Sequence, residues 1–268
     1  MAENENGTVM LPPAKTQEAF VHIGFAKARL PRGRAFVLAI LAGAFVALGA
    51  SFMLMVRSDV SLSPTISLVW AVSRSAWPCF WCSLPVPSCS PVTASWLSAR
   101  SMGGIRSFVC CVNGRLCTRA TPWEPFGGRV APRFGLCEMQ GGAVGELACS
   151  VAASKASLSP VVAFSRGILC NVLVCLAVWM GSAGKTVCDK LAAAILPVVA
   201  FVVLGFEHSV ANMFFLPLGL AIEALWGGSS VVVLGVASNL VFVTLGNIVG
   251  GVAIAAAYWF VYGREDRN

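Results

Sequence analysis

Apolar stretches long enough to cross a bilayer dominate this sequence and leave few folds open to it. Ala35 to Val56 is one, Ile168 to Met180 is the core of a second that begins near Val161, and Val231 to Val261 is a third. About 20 consecutive apolar residues span a hydrocarbon core as a helix. A further run, Leu191 to Trp226, is interrupted once, by Gly205-Phe206-Glu207-His208-Ser209-Val210-Ala211-Asn212-Met213. A Glu, a His and an Asn at bilayer depth are costly. They persist where irregular backbone lines a cavity and where the polar group handles a substrate. The pattern is that of a discontinuous helix in a channel or secondary transporter.

Composition agrees. Hydrophobic residues make up 57% of the chain, charged residues 12%, and the mean hydropathy is +0.79. An ordinary soluble domain carries about 25% charged residues. The net charge of +7 sits mainly in basic flanks and in a peculiar middle segment, so it is not read as a nucleic-acid surface. The start, M-A-E-N-E-N, has no basic region followed by an apolar one, and no classical signal peptide is expected. No nucleophile–base set, phosphate loop or metal cluster points to an enzyme.

The ends read clearly. Residues 1–14 are polar and expected to be disordered. Residues 15–33 predict an amphipathic helix at the membrane surface, with Phe20 and Ile23, joined by Ala19 and Lys27, placed around it. The first span follows at 34–56, with Gly43 and Gly49 suited to close helix contacts. Lys27, Arg29, Arg32 and Arg34 precede it and predict a cytoplasmic N-terminus. The C-terminal half, 138–263, holds the remaining spans and the break at 205–213. Tyr258, Trp259 and Tyr262 mark an interface, and the tail 264–268 carries Arg264 and Arg267. Both termini are therefore expected in the cytoplasm, which requires an even number of crossings.

Four ordered motifs carry a resemblance. They are R-G-I-L-C-N (166–171) with L-V-C-L-A-V-W-M (173–180), G-F-E-H-S-V-A-N-M-F-F-L-P-L-G (205–219), L-G-N-I-V-G-G (245–251) and A-Y-W-F-V-Y (257–262). K-A-R-L-P and I-L-A-G-A-F-V-A-L-G near the start add to them. Over about 12–56 and 141–263 the chain resembles the formate/nitrite transporter family. The resemblance implies an all-α membrane protein with an aquaporin-like inverted repeat of six transmembrane helices. It also implies a homopentamer with one pore per protomer for small monovalent anions such as formate or nitrite. No cofactor, metal or nucleic acid is implied. The plasma or cytoplasmic membrane is the expected location.

Residues 57–137 depart from that pattern. They are rich in Ser, Cys, Trp, Arg and Pro, and Pro78, Pro85, Pro87 and Pro91 interrupt every apolar run. The family's second and third spans, with an L-F-T-G-N loop, belong here, and they are disrupted. The genetic code offers an account. Joining the third base of each codon to the first two of the next, Ser88-Cys89-Ser90-Pro91-Val92-Thr93 permits L-F-T-G-N, and Pro87-Ser88 permits a preceding Glu. In the same frame Trp77-Pro78 forces Ala, Phe80-Trp81 forces Leu and Trp81-Cys82 forces Val. Cys111 through Glu124 permits R-[KEQ]-W-x-x-[LMV]-Y-x-G-N-x-[LMV]-G, similar to the family's third span except for the Asn usual before Trp. Two matches in order in one frame point to out-of-frame translation, with a slip at about 57–70 and a return at about 124–141. An error in the gene model, an error in sequencing and a decayed gene all produce this pattern. Two rival readings stay open: a non-functional product of a transporter gene, and a membrane-anchored protein whose Cys-rich segment is a binding module. For the latter, Cys79-Phe80-Trp81-Cys82, Cys110-Cys111, Cys117 and Cys137 match no regular zinc spacing, and no His lies nearby.

His208 is the leading site residue. Imidazole titrates near neutrality when unperturbed, and in an apolar pore it can exchange a proton with a passing carboxylate. A small weak acid crosses a dry constriction far more readily as a neutral species, because an isolated ion pays a large desolvation cost. Anion flux would then be linked to protons. Lys155, in A-S-K-A-S-L-S (153–159), is implied by the resemblance to attract anions at a vestibule, against the plainer reading of a loop or snorkelling lysine. Asn171 and Asn212 match polar positions near the pore centre. Each either bonds the substrate, orients His208 or joins helices. Phe201 matches an apolar constriction, and Phe206 reads as core packing. Glu207 is expected to help hold the break. His22 reads as a surface histidine.

Sequencing the transcript across codons 50–145 tests the frame reading. The expected cDNA carries compensating shifts that restore E-L-F-T-G-N and the W-x-x-V-Y-x-G-N segment. A transcript that confirms the sequence as written would leave only ancestry to the resemblance.

Overall fold

The structure, a computed structural model, describes residues 10–28, 31–59 and 135–262. The stretch at 60–134, where the resemblance expects a second and third span and a T-G-N loop and the sequence reads as out of frame, lies outside the described residues, as do the N-terminus and the C-terminal tail. The described elements are helices: α1 (Pro13–Ala28), α2 (Arg32–Arg57), a 3-10 segment (Leu136–Gly142), α3 (Ala143–Ala156), α4 (Pro160–Ala183), α5 (Val187–Val203), α6 (Ser209–Trp226) and α7 (Val233–Tyr262). Among the described residues, α4, α6 and α7 are each long and apolar enough to cross a membrane. At 26 residues, α2 is about 39 Å long at 1.5 Å per residue, more than the ~30 Å of a hydrocarbon core.

Several bounds differ from the sequence reading. α1 ends at Ala28, and α2 already begins at Arg32 behind Pro31, a residue that suits a helix start. The first and last residues of the segment read as anomalous, 57–137, join described elements. Arg57 is the last residue of α2, and Cys137 is buried in the core with Leu54, Val144 and Phe214. One face of α1 is covered. Its buried residues are Thr16, Gln17, Phe20 and Val21, and Ala19 is only partly covered. These residues follow helical spacing but include two polar side chains, because this face packs on α4 and α7 rather than on lipid alone. The Ile23 and Lys27 side chains lie outside what is described. His22 is exposed.

α4 and α7 run side by side and parallel: Phe164 lies beside Gly246, Ile168 beside Gly250, and Trp179 beside Tyr258. Glycine makes this approach possible. A Cβ at Gly246 would strike the Phe164 carbonyl, and one at Gly167 would lie 2.8 Å from the Val243 carbonyl. Small residues at a membrane helix interface gain stability through close van der Waals packing, where no hydrophobic force distinguishes helix from lipid. At the far end Trp179 stacks on Tyr258 and Tyr262, with ring centroids 4.7 and 6.1 Å apart. The Leu11 N–H donates to the Ala183 carbonyl at 3.0 Å. The first described residues and the end of α7 therefore share one end of α4.

α3 and α6 pack antiparallel, with Gly219 against Ala152 and Gly145 against the Trp226 indole. Ala47, Ala50 and Leu54 of α2 close this core with Phe214, Leu218 and Ile222. Beyond α6, the buried Glu223 carboxylate accepts the Ser230 hydroxyl and the Ser230 and Val231 N–H groups. It thereby folds the turn that starts at Gly227, whose φ is +82°.

Gly246→Ala is expected to lower the thermal stability of the detergent-solubilised protein by about 1–3 kcal/mol, the usual range for overpacking. Gly181→Ala, also in α4 but with nothing within 4 Å of its Cβ position, is expected to be neutral or slightly stabilising. Melting curves of the two variants measure the difference.

Candidate functional site

The site is built on the gap between α5 and α6. The break covers 204–208, narrower than the 205–213 read from sequence, and Ser209 to Met213 is already helical. The reason lies in the two caps. α5 ends in a Schellman motif: Phe206 N–H donates to Phe201 O at 2.9 Å and Gly205 N–H to Val202 O at 3.1 Å. This requires the left-handed backbone of Gly205, with φ +67°. α6 then starts at His208, whose Nδ1 accepts the Ala211 N–H at 3.4 Å in the N-cap position. With no water in a bilayer core, such partners are what allow the chain to leave helical geometry.

The peptide groups between the caps are held from neighbouring helices. Glu207 N–H donates to the Arg166 carbonyl of α4 at 3.4 Å. Asn247 of α7 accepts the Ser209 N–H at 2.9 Å, and its Nδ2 donates to the Glu207 and Gly167 carbonyls at 3.0 and 2.8 Å. Asn171 of α4 donates to the Asn247 carbonyl at 2.5 Å. It therefore braces α4 against α7, one layer behind the break.

Lys155, in the last turn of α3, is paired. Its ammonium lies 2.9 and 3.0 Å from the two Glu207 oxygens and 5.9 Å from the Phe215 ring centroid. The Glu207 side chain is 5% exposed and that of Lys155 18%, so the pair is largely withdrawn from solvent. Asn212 Nδ2 donates to Glu207 at 2.6 Å and to Asn239 Oδ1 at 2.7 Å. Asn239 in turn donates to the Lys155 carbonyl at 2.8 Å. The carboxylate thus receives both lysine and amide donors. Asn212 Oδ1 is buried without a hydrogen-bond partner. The Phe201 and His208 rings lie nearly parallel, 6.0 Å apart at 20°.

The structure thus gathers His208, Phe201, Lys155 and Asn212 around the break. Asn212 bonds Glu207 and Asn239 rather than the imidazole. Sequence reasoning missed Asn239 and Asn247 and gave Glu207 too small a part. A signal was present: two Asn residues eight positions apart in an apolar helix share one face, and that face also carries Gly246 and Gly250. Polar groups inside a span are costly and mark function by default.

Comparison with known proteins follows the same lines. A family profile described as "Formate/nitrite transporter" matches residues 130–261. The probable formate transporter of Methanothermobacter thermautotrophicus is 32% identical over 289 aligned residues, which cover 97% of this chain and all of that one. The formate channel FocB of Escherichia coli (strain K12) is 33% identical, with 86% and 88% of the two chains covered. Among solved structures, a pentameric formate channel with formate bound superposes with a TM-score of 0.72 at 25% identity, covering 87% of this chain and 98% of that one. The chain has the all-α fold of a membrane transporter. It belongs to the formate/nitrite transporter family, an integral membrane family of transporters rather than enzymes.

Removing one member of a buried pair leaves an uncompensated charge and costs about 3–5 kcal/mol, while replacing both with apolar groups is often neutral. Lys155→Met and Glu207→Leu are each expected to lower stability by about 3 kcal/mol. The double variant is expected to recover most of that loss, as measured by a double-mutant cycle on thermal unfolding.

Proposed function

We propose that this protein conducts small monovalent anions, formate or nitrite among them, through a pore in each protomer, with flux linked to protons at His208. The observation that carries the reading is the placement of the imidazole. His208 sits at a helix break inside an apolar span, 9% exposed, against Phe201. Its Nδ1 accepts a backbone N–H, so the neutral ring carries its proton on Nε2. That N–H is free to meet a carboxylate or nitrite oxygen, and proton donation there removes the charge that makes a dry constriction impassable. Phe201 supplies an apolar wall. Lys155 draws anions toward the break, tempered by Glu207, so the local field is that of a pair rather than of a bare cation. Asn212 adds a free amide oxygen for a protonated acid, and Asn171 holds the frame.

Likeness to a pentameric formate channel with formate bound and to formate transporters supports a homopentamer and a carboxylate cargo. The basic residues before α2 support cytoplasmic termini, and the shared end of α4 supports placing both on one side. A second reading, a non-functional product of such a gene, is favoured by the sequence at 57–137, where two family spans are disrupted.

Reconstitution into proteoliposomes tests the proposal. The protein should take up labelled formate faster under an inward proton gradient. His208→Asn should reduce that flux by about a hundredfold, within the range for loss of a proton donor, with the pentamer intact. An unchanged response of His208→Asn to the gradient would overturn the proton role. Flux from the frame-restored chain and none from the chain as written would favour the second reading.

A further inference from the structure

We propose that Asn247 is a positioning residue for His208, acting through the peptide groups on either side of it. His208 has extended backbone, with φ −111° and ψ 117°. The Asn247 amide meets that residue as a neighbouring strand would. It accepts from the N–H that follows His208 and donates to the carbonyl that precedes it. Two bonds on flanking peptides fix the direction in which the His208 Cα–Cβ bond points. They do so without contact with the ring, which is left free for chemistry.

The amide has one workable orientation. Its second Nδ2 hydrogen goes to the Gly167 carbonyl. Turned over, Oδ1 would face two carbonyl oxygens and Nδ2 would face the Ser209 N–H. The residue is buried, at 1% exposure, so no water replaces a lost bond. Asn171 fixes the backbone of Asn247, and the close packing of Gly167 against it brings the amide within reach of all three partners. No other proteinogenic side chain of this length offers two donors and an acceptor in one plane. Asp has nearly the same shape but keeps at most one donor, and Leu keeps the volume but no polar atom.

The helix pair α4–α7 therefore acts as a jig. The glycine contacts set the distance between the helices, and Asn247 transfers that distance to the break. Its bearing on transport rests on the proposed pore role of His208, but the placement of the ring does not.

The test reads the ring directly. The chain has two histidines, His22 and His208, so protein labelled with [15N]histidine in lipid gives two sets of imidazole signals, and His22→Gln assigns them. The wild-type His208 signal should be one neutral tautomer with the proton on Nε2. Asn247→Leu should spread it into a mixture of tautomers and lower formate flux by about tenfold, the scale of a sub-ångström to ångström misplacement. Asn247→Asp, which barely changes volume, should shift the signal in the same sense by less, and it decides the matter where the Leu variant does not fold. Gly184→Ala, whose Cβ would lie 2.6 Å from that of Asp189, destabilises the far end of α4 without altering the α4–α7 glycine contacts or 207–209, and should leave the His208 signal as in wild type. Wild-type signals in both Asn247 variants would overturn the proposal. So would a Gly184→Ala shift as large as theirs, since general loosening would then explain it. A displaced His208 signal in a protein that carries no anion even as wild type would uphold Asn247 and reject the transport reading.

Discussion

A helix that stops inside a bilayer must find partners for the peptide groups it releases, and the described architecture answers to that need. Water would satisfy those groups at a soluble surface, but a hydrocarbon core offers none. Here the Schellman motif at Gly205 and the imidazole cap at His208 close the two helix ends. Asn247 and the Arg166 carbonyl take up groups between them. The break is short because each of these partners is fixed. The residue that caps α6 is also a titratable one, so the peptide groups of the break are satisfied in part by a side chain with acid–base chemistry of its own.

That arrangement depends on how closely α4 and α7 approach. Gly167, Gly246 and Gly250 lie where any Cβ would meet backbone atoms of the opposite helix. In a lipid environment such contacts hold helices together by packing rather than by the exclusion of water. The approach places Asn247 within 2.8 Å of the Gly167 carbonyl and within 3.0 Å of the Glu207 carbonyl. Packing energetics on one pair of helices thus becomes polar geometry at the break, and from there the orientation of a titratable ring.

Charge at the site is balanced rather than concentrated. Lys155 and Glu207 neutralise each other, and the chain of amides from the Lys155 carbonyl through Asn239 and Asn212 returns to the same carboxylate. Each amide orientation is set by its neighbour, which makes the network an all-or-none unit. The loop joins α3, α6 and α7 and ties the break to helices on both sides of it in sequence.

The apolar runs, the basic flanks and the single polar interruption were legible as a membrane fold with a broken helix, because hydropathy and chain length alone decide whether a segment can span. His208 stood out for the same reason: a titratable group in such a run is costly. Codon arithmetic on 57–137 is likewise a property of sequence alone. The partners were not legible. Nothing in the order of residues pairs Lys155 with Glu207, 52 positions away, or lays Asn247 across the backbone of His208. The extent of the break was overestimated because Ser209 to Met213 has no local sign of helix until the His208 cap is seen. The contacts of α1 with α4 and α7 were likewise not legible, because they join segments far apart in the chain. Hydrophobicity and local propensity act along the chain, so the sequence by itself determined which segments enter the membrane and where one of them fails. Hydrogen bonds and ion pairs are short-ranged and directional, so only the tertiary structure decided which polar groups meet.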